Sequence, residues 1–166
     1  MIHPDLILAQ ELAYKPNGLQ SDAIEQETES KEYGACTFTM SHRIIKFRAA
    51  KITPTKVGQF VTIWKRIGRG PIMPYDLSDS IDLFIISVRD NQRFGQFIFP
   101  KYVLWQKEFV SKDGKGGKRA MRVYPPWDTT DSAQAKKTQN WQLLYFVEMQ
   151  PTLNTQKLQN LFSNNL

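Results

Sequence analysis

The sequence predicts one α+β domain with a mixed or mostly antiparallel sheet of about five or six strands, flanked by N-terminal and C-terminal helices. Its length of 166 residues is that of one domain. Its hydrophobic content of 41% is typical of a globular protein. Apolar residues recur at helical spacing near the two termini, whereas apolar runs of strand length fill the middle of the chain.

The opening residues predict a short helix. Pro4 suits a first helical turn, Asp5 favours the positive end of the helix dipole, and the sequence KPNG at residues 15–18 ends the element. Residues 24–31 are acidic and only weakly helical. We expect either a mobile connection or a second short helix there.

The middle of the chain predicts the strands. Residues 82–88 are almost continuously apolar, which is typical of a central strand that is covered on both faces. Residues 101–105 follow Pro100 and are expected to form a helical turn. The other strand-length segments are 35–40 with its hairpin partner 43–52, then 60–67, 94–99 and 119–124.

Two helices are expected near the end of the chain. Thr130 or Asp131 would cap a helix from about residue 132 to residue 147, and residues 152–162 have the spacing of a last amphipathic helix. We therefore divide the single domain into an acidic helical segment over 1–32, a core over 33–148 and a C-terminal helix within 149–166.

The charges are unevenly distributed along the chain. The net charge is +6, and residues 33–75 contain eight Lys and Arg residues but no Asp or Glu. Residues 1–32 contain seven acidic and two basic residues. A basic surface attracts phosphate-rich partners, so we predict a DNA- or RNA-binding protein. A partly random excess of lysine on a solvated face is the alternative.

The candidate contacts to nucleic acid come from two basic and aromatic blocks. The hairpin-like sequence FRAAKITPTKVGQFVTIWKR, residues 47–66, has a TPTKVG turn that presents Lys56. Aromatic side chains could stack on bases, although core packing is the competing interpretation for tryptophan. The predicted phosphate contacts are Arg48, Lys51, Lys56, Lys65, Arg66, Lys118, Arg119 and Arg122, and the predicted stacking residues are Tyr124 and Trp127.

An enzyme that acts on a phosphorylated or otherwise anionic substrate is the alternative function, and it includes a divergent metal-dependent nuclease. Its pocket would contain Gln59, Asp82, Gln96 and Lys101. The sequence contains no complete catalytic motif, and we expect neither a cofactor nor a metal site. Asp76 and Asp79 are interpreted as turn residues, not as metal ligands.

Other features bear on the compartment and on protein partners. One cysteine cannot form an internal disulfide, and MIHPDLILAQEL has no basic region typical of a signal peptide. The apolar runs are too short to span a bilayer. We therefore expect a cytoplasmic protein without membrane contact, and we make no prediction of its oligomeric state. A third hypothesis is a protein-interaction module in which the acidic segment shields the basic face.

Five stretches resemble one known family: FRAAKITPTKVGQFVTIWKR, GPIMPYD, FGQFIFPKYVL, GKRAMRVYPPWD and QAKKTQNWQ. They resemble the MepB-like family of small, soluble bacterial proteins, and the resemblance covers roughly residues 32–148. The resemblance implies no particular reaction. The order of helix, strands and helix also has a distant likeness to nuclease folds of the PD-(D/E)XK type. Residue 49, where that type of core would need an acid beside Lys51, is alanine, so we predict phosphate binding without cleavage.

Overall fold

The computed structural model describes residues 1–163 and confirms the α+β fold class. Its helices are α1 (Pro4–Ala9), α2 (Lys101–Gln106), α3 (Ala133–Gln142) and α4 (Thr155–Ser163). Its strands are β1 (Ser21–Gln26), β2 (Cys36–Met40), β3 (Arg43–Ala49), β4 (Lys51–Ile52), β5 (Gln59–Thr62), β6 (Trp64–Arg66), β7 (Ile72–Pro74), β8 (Leu83–Asp90), β9 (Arg93–Pro100), β10 (Ala120–Val123) and β11 (Phe146–Gln150).

Six strands form the main sheet, in the order β1-β2-β3-β8-β9-β11. All neighbours are antiparallel except β3 and β8, which are parallel; the chain between them leaves the main sheet and forms β4 to β7 of two smaller sheets. The first six residues of β8 are buried, as expected for a central strand that is covered on both faces.

The first face of the main sheet is covered by the two ends of the chain. Helix α1 continues through a π-helical turn over Gln10–Tyr14 and a 3₁₀ turn over Lys15–Asn17, so the predicted first helix is confirmed. Tyr14, Leu158 and Phe162 are almost fully buried in the core on this side. The amphipathic C-terminal helix therefore packs beside the N-terminal one.

The second face of the main sheet is covered by a three-stranded antiparallel sheet of order β10-β5-β4 and by α2 and α3, while β6 and β7 form a separate two-stranded sheet. Val61 and Val123 point from the small sheet into this second core. Helix α3 is joined to the edge of β10 by Gln142, whose side-chain amide accepts from the backbone N–H of Tyr124 and donates to the carbonyl of Arg122.

One of the predicted elements is wrong in type. Residues 21–26 form β1, and residues 31–33 form a 3₁₀ turn, where a connection or short helix was expected over 24–31. Strand β1 pairs with β2 across an irregularity between Asp22 and Glu25, so tertiary pairing outweighs its weak strand propensity. The acidic segment 1–32 consequently contributes β1 to the main sheet.

The predicted helix over 132–147 is too long, because its last residues lie in β11. Phe146 and Val147 are buried by pairing with β9, which supplies the hydrogen bonds that a helix would otherwise provide. The predicted strand over 60–67 is divided between β5 and β6, which belong to different sheets. In the C-terminal segment, α4 begins only at Thr155, and residues 164–166 of the prediction lie outside the described residues.

Across residues 1–163, every helix is too short or too polar to span a membrane.

Candidate nucleic-acid interface

The outer face of the three-stranded sheet combines aromatic rings with cations. Alternation along the strands buries Val61 and Met121 and leaves Phe60 and Arg122 half-buried, with Phe60 packed against the edge of the second core. The strand register pairs Phe60 with Lys51 on one side and with Arg122 on the other. One line across β4, β5 and β10 therefore consists of a cation, a ring and a second cation.

Tyr33 extends this line into a four-residue group. Its ring centroid lies 6.2 Å from that of Phe60, and Lys51 Nζ lies 4.8 Å from the centre of the Tyr33 ring. The guanidinium carbon of Arg122 lies 6.0 Å from the centre of the Phe60 ring. We call Lys51, Tyr33, Phe60 and Arg122 the aromatic row. Phe60 is half-buried, so its ring is the one open to stacking with a base, whereas Tyr33 is 9% exposed and belongs to the second core.

The hairpin loop over residues 53–58 lies beside the aromatic row and is held by Arg122. Arg122 Nη1 donates to Thr53 Oγ1 at 2.9 Å and lies 3.3 and 3.2 Å from the carbonyl oxygens of Val57 and Gly58. Lys56 is exposed in this loop. The predicted hairpin is therefore present, and Arg122 both contributes a charge and orders the loop.

Lys118 and Arg119 enlarge the basic surface on the other side of β10. Both side chains are exposed, and they line a shallow depression of about 600 Å³ together with Thr62 and Trp64. Within residues 1–163, neither of them, nor Lys56, forms an ion pair with a carboxylate. These cations are available to a phosphate without competition from an acid.

A polar cleft of about 510 Å³ opens next to this face. Its charged and hydroxyl-bearing walls include Glu27, Glu29, Lys46, Lys65, Tyr75 and Asp79, and we use the name polar cleft for this set. Trp64 lines both the polar cleft and the depression beside Lys118. The two concave regions are therefore neighbours, separated by one side chain.

Arg48 lies buried behind the polar cleft in an ion-pair network. Its side chain is 2% exposed, and its two terminal nitrogens lie 3.1 and 2.8 Å from the carboxylate oxygens of Glu27. It also donates to the hydroxyl of Tyr75 at 3.1 Å, and Lys46 Nζ contacts Glu27 at 3.1 Å. Arg48 thus already has the bidentate carboxylate partner that its geometry favours.

This network changes the acidities of its members. Burial alone would raise the pKa of Glu27, but Arg48 and Lys46 outweigh it and hold that pKa below its usual value. Burial raises the pKa of Tyr75 to about 12, although Arg48 opposes the change. Both groups keep their ordinary ionisation at neutral pH, with Glu27 charged and Tyr75 protonated.

The outer walls of the polar cleft contain two more ion pairs. Lys65 Nζ lies 2.7 Å from Asp79, and Arg66 Nε lies 2.7 Å from Glu29. The acids that neutralise the basic stretch 33–75 therefore come from before and after it in the sequence. Of the predicted phosphate contacts, Arg48, Lys65 and Arg66 have acidic partners, whereas Lys51, Lys56, Lys118 and Arg119 are exposed.

The two predicted stacking residues lie in different surroundings. The ring of Tyr124 is half-buried beside Gly58, and burial raises its pKa. Trp127 contacts Phe146 of the main sheet edge-on at 5.9 Å and has the Arg93 guanidinium 4.8 Å from its ring centre. Tyr124 is therefore close to the aromatic row, whereas Trp127 packs on the main sheet.

The residues predicted for an enzymatic pocket do not share one cavity. Gln59 and Gln96 are buried; the first donates to the carbonyl of Arg89, and the second pairs with Ser87 and Tyr14 on the other side of the main sheet. The Asp82 carboxylate accepts from the N–H of Ile44. The Lys101 ammonium donates to the carbonyls of Leu77 and Asp79. Each of the four has a local structural partner.

Metal-ligand side chains are also dispersed. Among the described residues, no group of three or more His, Cys, Asp or Glu side chains is arranged to hold a metal ion. Asp76 bonds to Ser111, Ser78 and the Gly114 N–H, which hold its pKa well below the usual range. It joins two loops, in agreement with its interpretation as a turn residue.

Several residues of the interface and the cleft were missed by sequence reasoning. Phe60 could have been assigned to the outer face, because it alternates with Val61 in a strand that pairs with Lys51. Tyr33 lies in a 3₁₀ turn, and no local pattern relates it to Phe60. Glu27 and Tyr75 meet Arg48 only through tertiary contacts, so the sequence contains no comparable signal for them.

Comparisons with known proteins show which proteins this chain resembles. The sequence model of the MepB-like family matches residues 27–148, a range that begins at Glu27 and includes every residue of the interface and the polar cleft. A solved structure described as "Crystal Structure of MepB" matches with a TM-score of 0.77 and 30% identity, covering 91% of this chain and 100% of that chain. None of the curated proteins compared matches the chain.

Proposed function

The chain belongs to the MepB-like family, and from this premise we propose that it binds nucleic acid through the outer face of its three-stranded sheet. The observation that carries the proposal is the aromatic row, in which the half-buried ring of Phe60 lies between Lys51 and Arg122 and is backed by the buried ring of Tyr33. Lys56, Lys118 and Arg119 add exposed charge around it.

The chemistry of this face suits a single strand or an unpaired region. Bases stack on the half-buried ring of Phe60, and each such contact contributes roughly 1–3 kcal/mol. The surrounding cations neutralise phosphates and release counterions, so affinity decreases as salt increases. Neither contact selects a particular base strongly, and we expect weak sequence preference.

The first test is a fluorescence-anisotropy titration with short labelled DNA and RNA at two salt concentrations. Replacing Lys56 by Ala should weaken binding and reduce the slope of log affinity against log salt by about 0.7 for a single strand. Replacing Phe60 by Ala should weaken binding by about fivefold or more without changing that slope, because a neutral ring releases no counterions.

Lys15→Ala is a matched control for Lys56→Ala. Lys15 is also an exposed lysine, but it ends the helical segment that covers the opposite face of the main sheet. Its replacement changes the net charge equally and should leave the salt slope unchanged. The absence of binding at low salt would refute the proposal, as would equal effects of Lys15→Ala and Lys56→Ala.

The polar cleft favours a second candidate, an enzyme that acts on a phosphorylated or anionic substrate. The cleft is concave and contains Glu27, Lys46 and Tyr75. Its carboxylates are bound to cations, and the described residues do not fit a divalent metal site, so we derive no metal-dependent cleavage step. Incubating the protein with labelled DNA, RNA and phosphomonoesters, and following product release, tests this candidate directly.

The structure changes the test of the third hypothesis, in which the acidic segment 1–32 shields the basic face. Glu27 and Glu29 do contact cations, but they do so inside the polar cleft and not on the aromatic row. Deleting residues 1–32 would also remove β1 and the buried residues Leu6 and Tyr14 from the core. Point replacement of Glu29, which is 40% exposed, is the appropriate test of shielding.

A further inference from the structure

We propose that the polar cleft is a subsite for one nucleotide of the bound strand, an inference that rests on the proposed function. Its volume of about 510 Å³ lies within the range of small-molecule sites and is far larger than a phosphate ion requires. The cleft begins at Trp64, beside the depression that contains Lys118 and Arg119. A strand on the outer face can therefore place one of its units in the cleft.

The donors in the cleft suit a phosphate. Within residues 1–163, Lys46 and Lys65 each pair with one carboxylate, although an ammonium group can donate three hydrogen bonds. The hydroxyl of Tyr75 accepts from Arg48, and its own proton has no acceptor within residues 1–163. Three donors of this kind can approach phosphate oxygens without breaking the existing ion pairs.

The acceptors in the same cleft distinguish a nucleotide from a simple anion. Glu29 and Asp79 line the outer walls, and their carboxylates repel a free anion. They can accept hydrogen bonds from sugar hydroxyls or from the exocyclic amino groups of bases. Trp64, whose ring contacts the Arg66 guanidinium at 5.5 Å, supplies an aromatic surface at the entrance. Donors, acceptors and a ring together match a phosphate, a sugar and a base.

The test is isothermal titration calorimetry of the full chain with AMP, GMP, CMP and UMP at low salt, and with inorganic phosphate separately. We expect at least one mononucleotide to bind with a stoichiometry of one, more tightly than phosphate. Lys65→Gln removes a partly exposed cation and leaves the buried Arg48–Glu27 pair intact. It should weaken that binding by about tenfold or more.

Two further variants make the result specific. Trp64→Leu keeps an apolar side chain and should weaken mononucleotide binding by about fivefold or more. Lys15→Gln removes a lysine from the opposite side of the main sheet and should leave the affinity unchanged. Circular dichroism and thermal unfolding of each variant separate loss of binding from loss of folding.

The outcomes distinguish this inference from the proposed function. If oligonucleotides bind but no mononucleotide does, the subsite is refuted and the interface stands. Equal affinity for phosphate and for mononucleotides would also refute a nucleotide subsite. If mononucleotides bind and Lys65→Gln weakens them, but no oligonucleotide binds, the cleft remains a nucleotide site and the interface is refuted.

Discussion

The ion pair between Arg48 and Glu27 provides a quantitative test of the structure. Arg48 is 2% exposed and Glu27 is 19% exposed, so replacing Glu27 by Gln would leave a guanidinium charge in the interior with little access to water. Removing one partner of a buried ion pair typically costs about 3–5 kcal/mol. Because Glu27 is partly exposed to water, we expect a loss at the lower end of this range, so that Glu27→Gln lowers the unfolding free energy by about 3 kcal/mol.

Urea unfolding at pH 7, followed by tryptophan fluorescence, measures this loss. Arg48→Met and the double variant Glu27→Gln/Arg48→Met complete a double-mutant cycle. We expect the double variant to be more stable than the two separate losses predict, because it removes both charges. A loss below about 1 kcal/mol for Glu27→Gln would refute the reasoning.

The pH dependence gives an independent check. The folded pKa of Glu27 is below the unfolded value of 4.5, so its contribution is fully present above that value. It is lost as the pH falls through the folded pKa, where the carboxylate is protonated. The stability difference between the unmodified chain and Glu27→Gln should therefore shrink below about pH 4.5. A difference that does not change with pH would contradict the assigned ion pair.

Three further predictions concern stability. Asp76→Asn should lower the urea midpoint at pH 7 and flatten the loss of stability on acidification below about pH 4, because the folded pKa of Asp76 lies well below 3.8. Gly58→Ala should lower the unfolding free energy by more than about 1 kcal/mol, since the φ of Gly58 is +84° and a Cβ would lie 2.7 Å from the Tyr124 ring. Gly114→Ala is the control for backbone strain alone, because Gly114 has a φ of +75° but open space around its Cβ position. Gln142→Leu should cost about 2 kcal/mol or more in the same assay, because the edge of β10 loses both of its hydrogen bonds to this buried side chain.

The fold class and most strands could be predicted because the relevant information is local. Strand β8 is a continuous apolar run, and β2 and β3 alternate on either side of a two-residue turn. Strands β1 and β11 could not be predicted in this way. Ser21–Gln26 is polar, and Phe146–Gln150 continues the helical spacing of α3, so only pairing with β2 and β9 makes them strands.

The candidate site was predictable only in part. The turn that exposes Lys56 follows from the local sequence TPTKVG, and the structure does place Lys56 in an exposed loop. The ion pair of Arg48 could not be predicted from local sequence, because its partner Glu27 lies 21 residues earlier. Arg66 and Glu29 are 37 residues apart, and no local pattern joins them.

By itself, the sequence determined the α+β class, the exposed turn that carries Lys56 and the excess of positive charge. Only the tertiary structure decided which of those charges are available. A stretch without Asp or Glu shows only that no acid is near along the chain. Whether a basic side chain is neutralised depends on its distance in space from an acid. Folding brings Glu27, Glu29 and Asp79 to the polar cleft and leaves Lys56, Lys118 and Arg119 exposed around the aromatic row.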